Sequence, residues 1–325
     1  MPVTFKELDF RTSMPDVPRD LPVLEVAGQC FDDRSNGIRV LARQFDLGDA
    51  TEVDLPFGWA LASRSGQVEY FEASGAIRGR NSAVTERFEN ESRHWPGAVR
   101  YDTREGTSWG IGESAEGSLV ERSRSLAADI RLDADPVDVR VSVAQWAKLD
   151  ESGKELDSGP GRATVQMSYA FEGLPFIGPG SKTNMHYDPI DGEPQLSRFF
   201  HVHRSPGRAR SVRAGEPERA FDGLLDDALL VEHAGRASRI AITTATLGLL
   251  SLPADVPQRY AVPALAVEGS IEGLVDPEGR DYELRFGRYI QVVDARSLAS
   301  AGIAIAPEIT RAAVERSDEA PRTEP

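Results

Sequence analysis

The sequence predicts a mainly β fold, an antiparallel barrel or sandwich in two packed halves with few helices. Three observations support this: long stretches alternate apolar and polar residues, helical spacing is sparse, and 29 Gly and 21 Pro punctuate the chain. Alternation with period two is the pattern of a strand that buries one face and wets the other. At 325 residues and 40% hydrophobic content, the chain can build one large or two ordinary cores. No repeat of fixed period is visible, which weighs against propellers and solenoids.

Taken in order, Ile38 to Leu47 and Gly66 to Ile77 read as short strands. Val137, Val139, Val141 and Val143 form the clearest apolar face, and Val165, Met167, Tyr169 and Phe171 form its partner. Between them Leu149 to Gly161 is rich in Asp, Ser and Gly, the tip of a hairpin. Phe171 to Gly180, with its Gly and Pro residues, is the best break. It divides a β-rich half over 1–172 from a β-rich half with one helix over 173–316, the two sharing a large interface. Pro217 followed by Ala220, Phe221, Leu224, Leu225 and Ala228 has the three- and four-residue spacing of a helix. Leu265, Val267 and Ile271 run into the turn Asp276-Pro277-Glu278-Gly279, and Tyr282, Leu284 and Phe286 return. Pro307 to Val314 suggests a second helix, and the charged segment 317–325 is expected to be a disordered tail.

The charge balance, 37 basic against 52 acidic residues and a net charge of −15, argues against a nucleic-acid or anionic-membrane partner. Only four of the basic residues are Lys. The lone Cys30 excludes an internal disulfide framework and a Cys-based zinc cluster. With no apolar run of membrane-spanning length and a polar N-terminus, the expected location is cytoplasmic, and homo-oligomerisation stays open.

Four of the five histidines, His186, His201, His203 and His233, fall within one short window. His201 and His203 are two apart on a strand and share a face, which suits a zinc-type site with His186. The plainer alternative leaves both on the solvated face of an edge strand. His186 and Asp188 form an HxD pair, preceded by Gly178-Pro179-Gly180 and by Thr183, three residues before the His. Over residues 178–189 this resembles the first metal motif of the JmjC-type cupin oxygenases. The resemblance implies a non-haem iron(II) enzyme using 2-oxoglutarate. His186, Asp188 and His233 would be the metal ligands and Thr183 would contact the cofactor, with Arg239, or alternatively Arg198, Arg204 or Arg236, in place of the expected Lys. The plainer alternative makes Asp188 to Gly192 a simple turn.

A second function class needs no metal and no cofactor. Trp59, Trp109 and Trp146 lie in the first half, where a β-barrel lined with aromatics could bind or cyclise an apolar or mixed small molecule. The plainer alternative is that these rings fill a core. A third class is a structural or assembly subunit whose edge strands pair with neighbours. No GxSxG elbow, P-loop or dinucleotide fingerprint occurs in a strand-to-helix context.

Overall fold

The computed structural model describes residues 8–28, 31–90, 95, 97–103, 106–132, 135–216, 220–221, 224 and 227–303. Cys30, the helix expected at 307–314 and the tail at 317–325 lie outside them, as does much of the helix expected at 217–228.

The period-two segments assemble into two eight-stranded sheets and a separate hairpin, a mainly β architecture with one sheet nearly closed in the manner of a barrel. Sheet I contains β1 (Leu8–Phe10), β2 (Asp20–Ala27), β11 (Ala170–Phe171), β12 (Leu174–Ile177), β15 (Ser205–Arg213), β16 (Arg239–Leu250), β17 (Tyr260–Val275) and β18 (Asp281–Gln291). Sheet II contains β3 (Thr51–Leu55), β4 (Gly58–Ser63), β5 (Gly66–Phe71), β6 (Ala76–Asn81), β9 (Asp138–Leu149), β10 (Glu155–Ser168), β13 (Lys182–Ile190) and β14 (Glu193–Val202). Its spatial order is β3-β4-β5-β6-β14-β13-β10-β9, and every neighbouring pair is antiparallel. The hairpin β7 (Ala98–Thr103) and β8 (Gly106–Ile111) docks on β9 and β10, where the Trp109 indole N–H donates to Ser158 Oγ and Gln145 donates to Ser108 Oγ.

The expected hairpins form, with the β9–β10 reversal confined to 150–154 because 155–161, expected as part of the tip, continue strand β10. Val165 lies opposite Val141 and Met167 opposite Val139 in β9–β10, and Leu265 lies opposite Ile290 in β17–β18. In the latter turn the Asp276 carboxylate accepts the backbone N–H of Glu278 and of Arg280, which fixes the reversal. Asp191 and Gly192 both adopt positive φ, 52° and 79°, as a two-residue hairpin turn requires, so β13 and β14 are joined as tightly as the chain allows.

Five helices are described: α1 (Phe31–Gln44), α2 (Ser82–Asn90), α3 (Glu113–Asp129), α4 (Ala228–Ala234) and α5 (Ala295–Ser300). The first corrects the strand expected at Ile38 to Leu47. Buried Ile38, Leu41, Ala42 and Phe45 recur at helical spacing and pack on the apolar face of sheet II. Gly79 of β6 makes that packing possible, because a Cβ there would come within 2.4 Å of the Phe45 ring. On α3, Leu119, Ser123 and Leu126 are the buried positions, and the Ser123 hydroxyl is hydrogen-bonded to the Tyr187 hydroxyl at 2.9 Å. Sheet I packs its own apolar core from Leu21, Val23, Ile242, Val262, Leu265, Val267 and their neighbours, with Leu230 of α4 and Leu298 of α5.

The expected division at 172/173 falls in the turn between β11 and β12, inside sheet I, and the two sheets do not follow it as halves of the chain. β2 of the first half belongs to sheet I, and β13 and β14 of the second half belong to sheet II. The chain passes between the sheets through α1, from β2 to β3, and again at Tyr169, at 178–181 and at 203–204; the last two lie beside the segment 251–258 that joins β16 to β17, and Tyr169 packs on His203. There the backbones touch: the N–H of Gly180 donates to Ser251 O, that of Ser251 to Ile177 O, and a Cβ at Gly180 would fall 1.7 Å from Leu252 O. Arg204 is buried at 2% exposure and donates to the carbonyls of Leu252, Pro253 and Val256 at 2.9, 3.0 and 2.6 Å. Burial lowers its pKa to about 10, so the guanidinium remains charged at neutral pH. Gln258 completes the seam by accepting from Leu252 N and donating to the carbonyls of Leu250 and Tyr260.

Replacing Arg204 removes the donor from two buried carbonyls and one part-buried carbonyl at once. We expect Arg204→Met to lower unfolding free energy by about 3 kcal/mol or more in urea titrations, and Arg204→Lys to recover only part of it. A loss below about 1 kcal/mol would show that the seam does not depend on this side chain.

Candidate functional site

One face of sheet II carries the apolar core and the other carries charge. On β5 and β6, Val68, Tyr70 and Ile77 point to the core, whereas Gln67, Glu69, Arg78 and Arg80 alternate with them on the opposite face. On β14 the buried Phe199 points to the core and Arg198 and Phe200 to the charged face, and on β13 Met185 and His186 divide likewise. Register then brings together residues far apart in sequence: Arg80 lies opposite Arg198, Arg78 opposite Phe200, and His186 opposite Arg198.

These residues line an open cavity of about 450 Å³, within the range of ligand sites, bounded by Gln67, Glu69, Arg78, Arg80, His186, Arg198 and Phe200, with the strand positions Gly79 and Phe199 as floor. Glu69, although charged, is only 4% exposed. It accepts from Arg78 Nε and from the Gln67 amide. The Arg78 guanidinium also lies 5.3 Å from the centre of the Phe71 ring, a cation–π distance. Phe71 stacks on Phe57 at 4.5 Å and belongs with Ala76, Val202, Ala254 and Phe200 to a small apolar cluster that borders the cavity at the seam. The cavity thus has an apolar end at Phe200 and a basic end at Arg80, Arg198 and His186.

His186 is held by a hydrogen bond between its Nδ1 and Thr164 Oγ1 on β10, at 2.9 Å. Burial first, and then the positive charges of Arg162 and Arg198, lower its pKa to about 4, only partly countered by Asp188, so the ring is neutral at physiological pH. Asp188 shares the His186 side of β13, as the HxD spacing predicts, but both of its oxygens are engaged by Arg162, Nε to Oδ1 at 2.8 Å and Nη2 to Oδ2 at 2.9 Å.

The expected metal triad is therefore not assembled. His233 lies on α4, which packs on β17 of sheet I, and its Nδ1 accepts from Arg236 at 3.2 Å. Among the described residues no three His, Cys, Asp or Glu side chains are grouped so as to hold a metal ion. The cofactor contacts expected of Thr183 and Arg239 separate as well. Thr183 is fully buried on the core side of β13, hydrogen-bonded to the Tyr169 hydroxyl at 2.6 Å and to His201 Nδ1 at 2.7 Å. Arg239, on β16 of sheet I, approaches Asp9 at 3.5 Å. His201 and His203 are not on a wetted edge: both are buried on a central strand or just past it, and His203 bonds Ser181 and stacks on Tyr169 at 4.5 Å. Their side of β14 is the one opposite His186, so a three-histidine zinc site does not form either.

The three tryptophans are half-buried and do not converge on the cavity. Trp59 sits on β4 at 6.3 Å from Tyr70. Trp109 and Trp146 flank the β10 segment around Ser158 and Gly159, where Trp146 lies over the glycine and Trp109 bonds the serine. Of the residues that line the cavity, the sequence reading points to His186, as a metal ligand, and to Arg198, as one of four arginines that could replace the expected Lys. The signal it passed over was the alternation of Gln67 and Glu69 with Val68, and of Arg78 and Arg80 with Gly79, which places charge on one face of a hairpin.

No family model and no curated protein matches the chain. The solved structure of an uncharacterized protein from Eubacterium rectale is similar in fold, with a TM-score of 0.52 over 89% of this chain and 90% of that one at 10% sequence identity.

The sign of the His186 effect on stability follows from its lowered pKa. The unfolded chain takes up a proton below about pH 6.5 while the folded chain resists until about pH 4, so this site contributes stability that is lost as pH falls through that window, up to roughly 3 kcal/mol. We expect His186→Gln to remove this component, so that the difference in unfolding free energy between the variant and the parent changes between pH 7 and pH 4. A constant difference across the window would contradict the assignment.

Proposed function

We propose that the protein binds a small molecule in the open cavity of sheet II, between β5, β6, β14 and β13, and acts on it, if it acts chemically, through the chain's own side chains. The observation that carries this reading is the convergence, around about 450 Å³, of a buried carboxylate, a neutral imidazole, three arginines and one aromatic ring drawn from four strands. Ordinary surface sheet faces seldom bury a glutamate beneath an arginine, and a histidine whose pKa burial lowers to about 4 is the kind of perturbed group that concentrates at sites that work. The mixed lining supports the mixed rather than the purely apolar ligand of the sequence expectation, and it moves the site away from the tryptophans. Iron chemistry through Asp188 does not suit the donor set, because Arg162 occupies the carboxylate that would have to bind the metal.

A thermal-shift screen of aromatic and aliphatic molecules of fragment to drug size tests this. Ligands that raise the melting temperature should lose that effect in Phe200→Ala and His186→Leu and keep it in Trp59→Phe and Trp146→Phe. The reverse pattern would place the site at the tryptophans and overturn the reading.

A further inference from the structure

We infer that Lys182 is a nucleophilic amine at the apolar end of this cavity, and that the ligand it takes is an aldehyde or ketone on an apolar body, held as an imine. The inference rests on the proposed site and adds a reacting group and the ligand's functional group. Lys182 opens β13 on the face that carries Asn184 and His186. It lies directly opposite Val202 on β14 and Ser168 on β10, and diagonally from Phe200, a separation of about 7 Å that a long side chain bridges. Val202 and Phe200 belong to the apolar cluster with Phe71 and Ala254, so the amine borders the end of the cavity where an apolar body would rest.

Its surroundings set this amine apart from the other described lysines. Lys148 and Lys154 are exposed, whereas Lys182 is half-buried, and its side chain makes no ion pair or hydrogen bond among the described residues. The groups around it account for this. Ser168 and Val202 carry no charge, Asp138 of β9, next in register beyond Ser168, is bonded to Arg140, and Glu69 and Arg78, beyond Phe200, are bonded to each other. The charge of Asp255, in the segment that links β16 to β17, acts on Arg204, and His186 further along β13 is neutral. With no carboxylate to hold the ammonium form, burial lowers the pKa of the amine, which raises the fraction carrying a free lone pair at neutral pH. Asn184, two residues on along the same face, has a buried Oδ1 without a hydrogen-bond partner, an acceptor for the N–H that a protonated imine carries.

The reaction needs nothing beyond amine, carbonyl compound and water. The amine lone pair attacks the carbonyl carbon, the C–N bond forms as the π pair moves to oxygen, and a proton passes from nitrogen to that oxygen to give a carbinolamine. A second proton, from solvent in the open cavity, turns the hydroxyl into water. The C–O bond breaks, the nitrogen lone pair closes the protonated imine, and one water leaves.

Benzaldehyde and formaldehyde are the probes, each with cyanoborohydride to reduce the imine to a stable secondary amine, and peptide mass spectrometry reads the labelling of Lys182, Lys148 and Lys154. At pH 7 benzaldehyde should label Lys182 about ten-fold faster than either exposed lysine, and its labelling should reach half its maximum at a lower pH than theirs. Phe200→Ala should slow benzaldehyde labelling of Lys182 by about ten-fold and leave formaldehyde, which has no body to bind, nearly unchanged. Benzyl alcohol, with the same ring and no carbonyl, reports the site alone. It should raise the melting temperature of the parent and of Lys182→Met but not of Phe200→Ala. Labelling of Lys182 no faster than of Lys148 and Lys154, with benzyl alcohol still bound through Phe200, overturns the imine and leaves the site standing. Fast labelling of Lys182 that Phe200→Ala leaves unchanged overturns the placement of the ligand. Absence of both the fast labelling and the benzyl alcohol shift overturns imine and site together.

Discussion

The buried guanidinium of Arg204 holds the two sheets to one another. Two of the chain's four crossings between sheets, at 178–181 and at Arg204, meet beside the segment that links β16 to β17, and such irregular backbone cannot satisfy its own carbonyls with a ladder. Arg204 supplies three donors to that segment from the point where β14 leaves sheet II for sheet I. Burying a charge is costly, and here the cost is offset because the planar fork meets several acceptors in a fixed geometry. Around it Gly180 and Gly178 allow backbone contact that no side chain would permit, since a Cβ at either would lie within 2.6 Å of a carbonyl oxygen of the linking segment.

The cavity depends on the same seam. β13 enters sheet II directly from the crossing at 178–181, and β14 leaves it at Arg204, so the two strands that supply His186, Arg198 and Phe200 are both fixed at that end. Beneath them Tyr169, Thr183, Ser181, His201 and His203 form a buried polar network on the core side, each histidine satisfied by a hydroxyl. A network of this kind specifies register as well as stability, because a one-residue slip of β13 would strand these groups and turn His186 away from the cavity.

Much of the fold is legible in the sequence because strand alternation is local. The β9–β10 valines and the Asp-Pro-Glu-Gly reversal are examples, since each states its pattern within a dozen residues. Helices α1 and α3 are not, for opposite reasons. Ile38, Leu41, Ala42 and Phe45 carry helical spacing inside a segment that also reads as a short strand, whereas the middle position of the buried face of α3 is Ser123, whose hydroxyl only finds its partner, Tyr187, in the folded chain. The site was hidden more deeply. His186 and Asp188 share a face as their spacing requires, but what they do is decided by β10, which brings Thr164 to one and Arg162 to the other. The pairing of β6 with β14, which puts Arg80 opposite Arg198 across more than a hundred residues of chain, is a consequence of the crossings and leaves no local trace.

If the seam couples the sheets, they open together. Native-state hydrogen exchange, read amide by amide under increasing denaturant, measures this directly. The account predicts that the slowest amides of β13 and β14 in sheet II and of β16 and β17 in sheet I merge into one opening reaction at the global free energy of unfolding. Arg204→Met should divide that reaction in two. Separate opening of sheet II in the parent protein, well below the global value, would contradict the claim that the crossings at Arg204 hold the molecule together.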